Sequence, residues 1–231
     1  RVGSDAVAAV GAAGMYTWLS SGLVTIAKMG GQIKAAHSIG EGNGEEAGNY
    51  GAGAIWLTLF FAGAFALLTN AFARPLIGFF GLTSPKIVDD AVLYLRIACG
   101  LIVFSFLSQT LTGLYTAAGN SKIPFLANCI GMGANIILDP VLIFGVGPFP
   151  RLEAAGAAIA TVTSQGIVAL VLMAASGKDE VLFPHIRMGK RIPSRFFRVI
   201  IRIGLPAGNQ NMIYCMISMV LTRFIAAWGD E

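Results

Sequence analysis

The sequence alternates between long apolar runs and short polar breaks. The breaks are rich in Gly, Pro, Asn, Lys and Glu, which are residue types that interrupt apolar helices. A helix that crosses the hydrocarbon core of a bilayer, about 30 Å thick, needs about 20 apolar residues, and six runs reach that length. The pattern therefore predicts six membrane-spanning helices, over residues 6–27, 51–72, 91–117, 124–144, 154–175 and 199–227.

Composition supports a membrane protein and excludes two other classes. Of the 231 residues, 55% are hydrophobic and 12% are charged, and the mean hydropathy is +0.72. Soluble domains carry about 25% charged residues, and disordered chains have low hydrophobicity. We therefore expect an all-α polytopic membrane protein with about six transmembrane helices. Both ends of the chain adjoin apolar runs abruptly, so we expect a fragment of a longer protein.

The distribution of Lys and Arg predicts the orientation. If the spans alternate, ten of the 16 basic residues lie on one side and six on the other. Cytoplasmic loops carry the excess of Lys and Arg, so residues 28–50, 118–123 and 177–198 are predicted to be cytoplasmic. The basic cluster at 187–202 is expected to fix topology and to contact anionic lipid headgroups. We do not expect nucleic acid as a partner.

A polar stripe runs along the fourth predicted span. Asn128, Asn135 and Asp139 are spaced i, i+7 and i+11, which places them within about 20° of one line on a helix. Met132 lies between them on the same face. Asp139 is the only acidic residue inside any of the six predicted spans.

Asp139 requires a physical explanation, because a carboxylate near the bilayer centre costs about 2.5 to 3.5 kcal/mol. It must be neutralised by a proton, paired with a cation, or open to a water-filled cavity. Asn135, one turn earlier, can offer its carbonyl to a bound cation. The alternative is that Asp139-Pro140 ends or kinks the helix near the outer surface. The apolar residues 141–144 favour the functional interpretation, because they continue the span.

Other polar residues within the predicted spans are open to two interpretations. Gln109, Gln165 and Gln210 are candidates to line a cavity, or they form contacts between helices. The Ser and Thr residues are expected to support close helix packing. The sequence contains no phosphate-binding loop and no common catalytic motif, so we expect no cofactor.

Several motifs together resemble the multidrug and toxic compound extrusion (MATE) transporters, most closely the bacterial and archaeal DinF-like kind. The specific part extends from Asn-Ile-Ile-Leu-Asp-Pro to a later Ser-Gln pair, and the resemblance covers nearly the whole chain. The segments that carry it are Leu111–Pro124, Asn135–Gly145, Gly147–Pro150, Gly156–Gln165 and Ile203–Ala207.

The resemblance implies twelve helices in two six-helix lobes with a central cavity, in the inner membrane of a prokaryote. The chain would cover about helices two to seven. Residues 1–176 would form the N-terminal lobe, from the end of helix one to helix six, and 177–194 the cytoplasmic link between lobes. Residues 195–231 would be the first helix of the C-terminal lobe. The missing helix one, which carries a further acidic residue of the site, and the rest of that lobe would complete the protein.

The resemblance also implies a site. Asn135, Asp139 and Thr161 would form the cation-coupling site, with Asn135 and Asp139 as ligands if the ion is Na⁺ rather than H⁺. Asn128, Met132 and Gln109 would contact substrate.

The implied activity is cation-coupled antiport that exports amphipathic or cationic drugs and toxins by alternating access. Two alternatives stay open. A flippase for lipid-linked oligosaccharides, of a similar fold, would need several Arg or Lys residues in its cavity. A membrane-embedded enzyme would need a cluster of acidic, His or Cys residues in the spans.

Overall fold

The predicted all-helical architecture is confirmed. The computed structural model describes residues 4–80, 84–145, 151–189 and 191–228, and the Gly147–Pro150 part of the motif lies outside these ranges. The described residues form eight α-helices and one 3₁₀ turn, Phe183–His185. The helices are α1 Ser4–Gly40, α2 Gly44–Ala71, α3 Ala73–Gly78, α4 Pro85–Gly100, α5 Val103–Ala117, α6 Lys122–Phe144, α7 Glu153–Ser176 and α8 Ser194–Trp228.

Length and composition identify three to four membrane spans among the described helices. α2, α6 and α7 are each long and apolar enough to cross a bilayer, and the α4–α5 pair can form a fourth span. α1 and α8 contain 37 and 35 residues, long enough for the spans predicted there. The chain is an integral membrane protein.

The predicted span 91–117 is not one straight helix. α4 and α5 meet at an angle of 43°. α4 ends at Gly100, and the backbone N–H of Leu101 still bonds the carbonyl of Ile97 at 3.2 Å. The amide of Asn70 occupies the space beside Gly100, 3.2 Å from where a Cβ would lie. Glycine has low helix propensity and leaves room for this side chain, so the break occurs there.

Residues 28–50 were predicted to form a loop, but most of them are helical, so this part of the prediction is wrong. α1 continues to Gly40 and α2 begins at Gly44, so only three residues connect them. Gly42 adopts a left-handed conformation, with φ of 75°, which allows the tight turn. Oδ1 of Asn43 accepts the backbone N–H of Glu46 at 3.1 Å and caps α2. The turn at Gly42 and the cap at Asn43 therefore allow this polar segment to form the ends of two helices.

The other two predicted loops are shorter than expected. The connection predicted at 118–123 ends where α6 begins at Lys122, and the loop predicted at 177–198 ends where α8 begins at Ser194.

The loop 177–193 packs on the bundle. Leu182 is fully buried, and the ring of Phe183 lies 4.4 Å from that of Tyr115 on α5. Oδ2 of Asp179 accepts the backbone N–H groups of Leu182 and Phe183 at 2.8 and 3.1 Å. These contacts hold the loop against α2, α5 and α7, at what we call the loop end of the bundle.

α1 and α8 pack closely against each other through glycine. A Cβ on Gly204 would lie 2.0 Å from the carbonyl oxygen of Ile26, and one on Gly208 would lie 2.3 Å from the Ile26 side chain. The amide of Asn211 donates to the hydroxyl of Ser21 at 2.6 Å across the same contact. Small residues allow such approach in membranes, where packing and polar contacts replace the hydrophobic drive. This contact joins α8 to the other helices.

Gly204→Ala is therefore expected to separate α1 and α8. Overpacking a tight contact costs about 1 to 3 kcal/mol, so the thermal unfolding midpoint of the full-length protein in detergent should fall. Gly63→Ala on α2 is the matched control, because no atom lies within 4 Å of its Cβ position. Replacing glycine in a helix there should leave stability unchanged or raise it by up to about 1 kcal/mol. Equal midpoints for both variants would contradict the packing assignment.

Candidate cation and substrate site

Asp139 lies inside α6 and not at its end. The helix continues through Pro140 to Phe144, and Gly145 then closes it in a left-handed conformation with φ of 70°. The interpretation in which Asp139-Pro140 ends the helix is therefore wrong. Membrane helices accept an internal proline because neighbouring groups compensate for the lost backbone bond.

Asn135 and Asp139 form a polar pair one turn apart. Nδ2 of Asn135 donates to Oδ1 of Asp139 at 3.5 Å, and both side chains are half-buried. This orientation leaves the carbonyl oxygen of Asn135 free to coordinate a cation.

The donor atoms at this pair suit H⁺ or Na⁺. They are a carboxylate and an amide oxygen, the oxygen type that hard cations take. No group of three His, Cys, Asp or Glu residues comes together elsewhere in the described ranges. The pair supplies only part of a Na⁺ coordination shell.

A cavity of about 300 Å³ opens between α6 and α7. The two helices approach closely at Gly131, where a Cβ would lie 2.2 Å from a methyl group of Val168. Polar side chains of both helices point into the space beside this contact. We call it the α6–α7 cavity; it is lined by Asn128, Gly131, Met132, Asn135, Thr161, Ser164, Gln165 and Val168.

The structure brings together five of the residues predicted from sequence: Asn128, Met132, Asn135, Thr161 and Gln165. Their roles remain predictions.

The remaining three predicted residues lie elsewhere. Asp139 is one turn beyond the cavity lining and reaches it through Asn135. Nε2 of Gln109 donates to the hydroxyl of Ser105 on its own helix at 3.4 Å. Gln210 is exposed on α8.

The sequence did not predict one interaction, which orients the side chain of Gln165 in the cavity wall. Oε1 of Gln165 accepts the hydroxyl of Ser108 on α5 at 2.7 Å, and Ser108 is buried. The bond fixes the carboxamide and leaves its NH₂ group for the cavity. Ser108 was expected only to support packing. Its bond to Gln165 joins two helices, so it does not follow from periodicity within one helix.

Residues 1–141 match the MatE family of transporters. The chain belongs to this family. MatE proteins are secondary transporters and not enzymes, so the membrane-embedded enzyme is excluded.

Curated relatives cover nearly all of the chain. It is 30% identical over 234 residues to a protein of Shewanella oneidensis named FAD transporter, covering 98% of this chain and 50% of that protein. It is 26% identical to the probable multidrug resistance protein NorM of Thermotoga maritima, covering 98% of this chain and 48% of that protein. The chain spans about half the length of the curated relatives it matches.

Solved structures share the fold. An inward-facing multidrug resistance MATE family transporter of the MOP superfamily superposes with a TM-score of 0.85 at 24% identity, covering 94% of this chain and 48% of that one. A MOP superfamily transporter from Pyrococcus furiosus gives a TM-score of 0.81 at 24% identity, covering 91% and 46%. At these identities the likeness shows the fold alone.

Cysteine labelling can test which face of α6 meets water. Met132→Cys, in full-length protein without its native cysteines, should react with a membrane-impermeant maleimide, because thiols ionise in water. Ile137→Cys is the control: its native side chain is 65% exposed against 63% for Met132, but it lies on the opposite face of the helix. We expect no labelling of Ile137→Cys, since that face would contact lipid. Equal labelling of both would contradict a water-filled cavity on the polar face.

Proposed function

We propose that the complete protein is a cation-coupled antiporter that exports amphipathic or cationic small molecules by alternating access. The observation that carries the proposal is the Asn135–Asp139 pair, held inside an unbroken membrane helix, with Asn135 in the lining of the α6–α7 cavity. In this proposal residues 1–176 belong to the N-terminal lobe and 177–194 to the link between lobes. Residues 195–231 begin the second lobe, so the α1–α8 contact joins the lobes.

The pair offers a route from ion binding to substrate binding. A proton or Na⁺ at Asp139 removes the negative charge that Asn135 otherwise faces. Asn135 also lines the cavity, so its reorientation changes the polar wall that a substrate contacts. An ion shifts an access equilibrium only through different affinities for the two states. The Asn135–Asp139 pair gives the two states different ion affinities if the first helix of the complete protein approaches Asp139 in one state only.

The cavity chemistry favours neutral or cationic substrates. Its described lining combines amide, hydroxyl and thioether groups and contains no Arg or Lys. A flippase would need basic residues to hold the pyrophosphate of its lipid-linked substrate, so this alternative is less well supported. Relatives named as multidrug resistance proteins agree with a drug or toxin as the exported compound.

FAD is the second candidate substrate, because a relative named FAD transporter is 30% identical over 98% of the chain. The flavin and adenine rings could occupy the apolar part of a cavity. The two phosphates would need cationic groups, which the missing second lobe would have to supply.

Asp139→Asn in the full-length protein is expected to abolish cation-driven efflux of a cationic dye, because the amide cannot take up a proton or carry charge. Membrane insertion should persist, since the substitution removes a charge from the span. Asp89→Asn is the matched control: its carboxylate is exposed and lies 3.3 Å from Arg74. Such surface pairs contribute only about 0 to 1 kcal/mol, so efflux should be unchanged. Unchanged efflux in Asp139→Asn would refute the coupling assignment.

Proteoliposomes can identify the ion and the substrate class together. Efflux should follow an imposed gradient of either H⁺ or Na⁺, and this response should disappear in Asp139→Asn. Transport of FAD in place of dyes, with the same dependence on Asp139, would support the second candidate. Efflux driven by neither ion would contradict antiport.

A further inference from the structure

A larger cavity, of about 640 Å³, lies at the loop end of the bundle. Its walls come from α2, α5 and α7 and from the loop 177–193, and its described lining includes no residue of α6. Its volume falls within the range of about 300 to 1,000 Å³ that is usual for small-molecule sites. We call it the loop-end cavity. Most of its lining is apolar, including Ile55, Leu59, Leu107, Leu111, Met173 and Phe183.

One acidic side chain interrupts this apolar wall. Asp179 is the only charged residue in the described lining, and only 7% of it is exposed. Both hydrogen bonds that it accepts from described residues fall on Oδ2, from the N–H groups of Leu182 and Phe183. No described residue donates a hydrogen bond to Oδ1, so this oxygen keeps its capacity to interact with a positive charge. A carboxylate this far from water attracts a cation more strongly than an exposed one does.

The loop-end cavity is distinct from the α6–α7 cavity but shares a wall with it. A buried cluster that includes Leu111, Tyr115, Val168 and Leu172 lies between them. Leu111 also lines the loop-end cavity, whereas Val168 lines the α6–α7 cavity. A ligand in one space would therefore contact side chains that belong to the same buried cluster as those of the other.

We propose that the loop-end cavity binds a lipophilic monocation that has partitioned into the membrane. The apolar walls match a hydrophobic body, and Asp179 matches a single positive charge. Phe183 adds aromatic surface, which also attracts cations. The described lining supplies no Arg or Lys for an anion. Binding in the loop-end cavity does not require the proposed function. Only the export of such cations rests on it.

Tetraphenylphosphonium and tetraphenylborate provide a test, because they share size and shape and differ in the sign of charge. The full-length protein is placed in nanodiscs without aminophospholipid, and binding is measured by equilibrium dialysis. Met132→Trp fills the α6–α7 cavity, so the binding that remains reports on the loop-end cavity. We expect saturable binding of tetraphenylphosphonium, and binding of tetraphenylborate at least about tenfold weaker.

Two variants in this background assign the charge. Asp179→Asn should weaken tetraphenylphosphonium binding about tenfold, while its amide oxygen can still accept a loop N–H. Glu180→Gln removes the same charge from the adjacent, exposed position and should leave the affinity unchanged. Leu107→Trp narrows the cavity without altering the Asp179 bonds and should also weaken binding, so the test survives if Asp179→Asn misfolds.

Three outcomes would overturn the proposal. One is equal affinity for the phosphonium and the borate, and another is equal loss in Asp179→Asn and Glu180→Gln. The third is abolition of phosphonium binding when phosphatidylethanolamine is added, which would assign the cavity to a lipid amine. The efflux test is independent, because Asp139→Asn should leave binding at the loop-end cavity intact. A failed efflux test with preserved binding would refute the coupling proposal alone.

Discussion

Close packing of helices through glycine is the constraint on which the rest of the structure depends. In a bilayer, lipid chains are as apolar as the side chains they would replace, so helices associate by packing and polar contacts. Gly204 and Gly208 bring α8 onto α1, and Gly131 brings α6 onto α7. The first contact attaches the helix assigned to the second lobe. The second contact sets the width of the α6–α7 cavity, since its polar residues lie beside the point of closest approach.

Some polar groups inside the bundle are paired across helices, and Asp139 differs from them. Thr58 bonds Thr110 at 2.7 Å, in a fully buried contact between α2 and α5. Ser108 likewise holds Gln165. Among the described residues, Asp139 accepts only the long bond from Asn135, which does not neutralise its charge. The charge of Asp139 is therefore incompletely compensated by the fold. Ion binding at such a group can change the equilibrium between two access states.

Much of the fold and part of the site could be predicted from sequence, for a clear physical reason. Asn128, Met132 and Asn135 share a face of α6 because a helix repeats every 3.6 residues, and that repeat is local. Gln210 was grouped with them by residue type and Gln109 also by the family resemblance, and neither belongs to the described lining of the α6–α7 cavity. The bend after Gly100 and the packed loop 177–193 depend on distant partners, such as Asn70 and Tyr115, that no local pattern reveals.

The sequence by itself determined that the chain is an all-α membrane protein of the MATE type, with one acidic residue on a polar helix face. Apolar run length, helical periodicity and motif spacing are all properties of neighbouring residues. Only the tertiary structure decided that α7 closes a cavity against Asn135 and that Asp179 lies in an apolar wall. Each of these results depends on which helices approach one another, and that is decided by small residues and polar contacts between segments far apart in the chain.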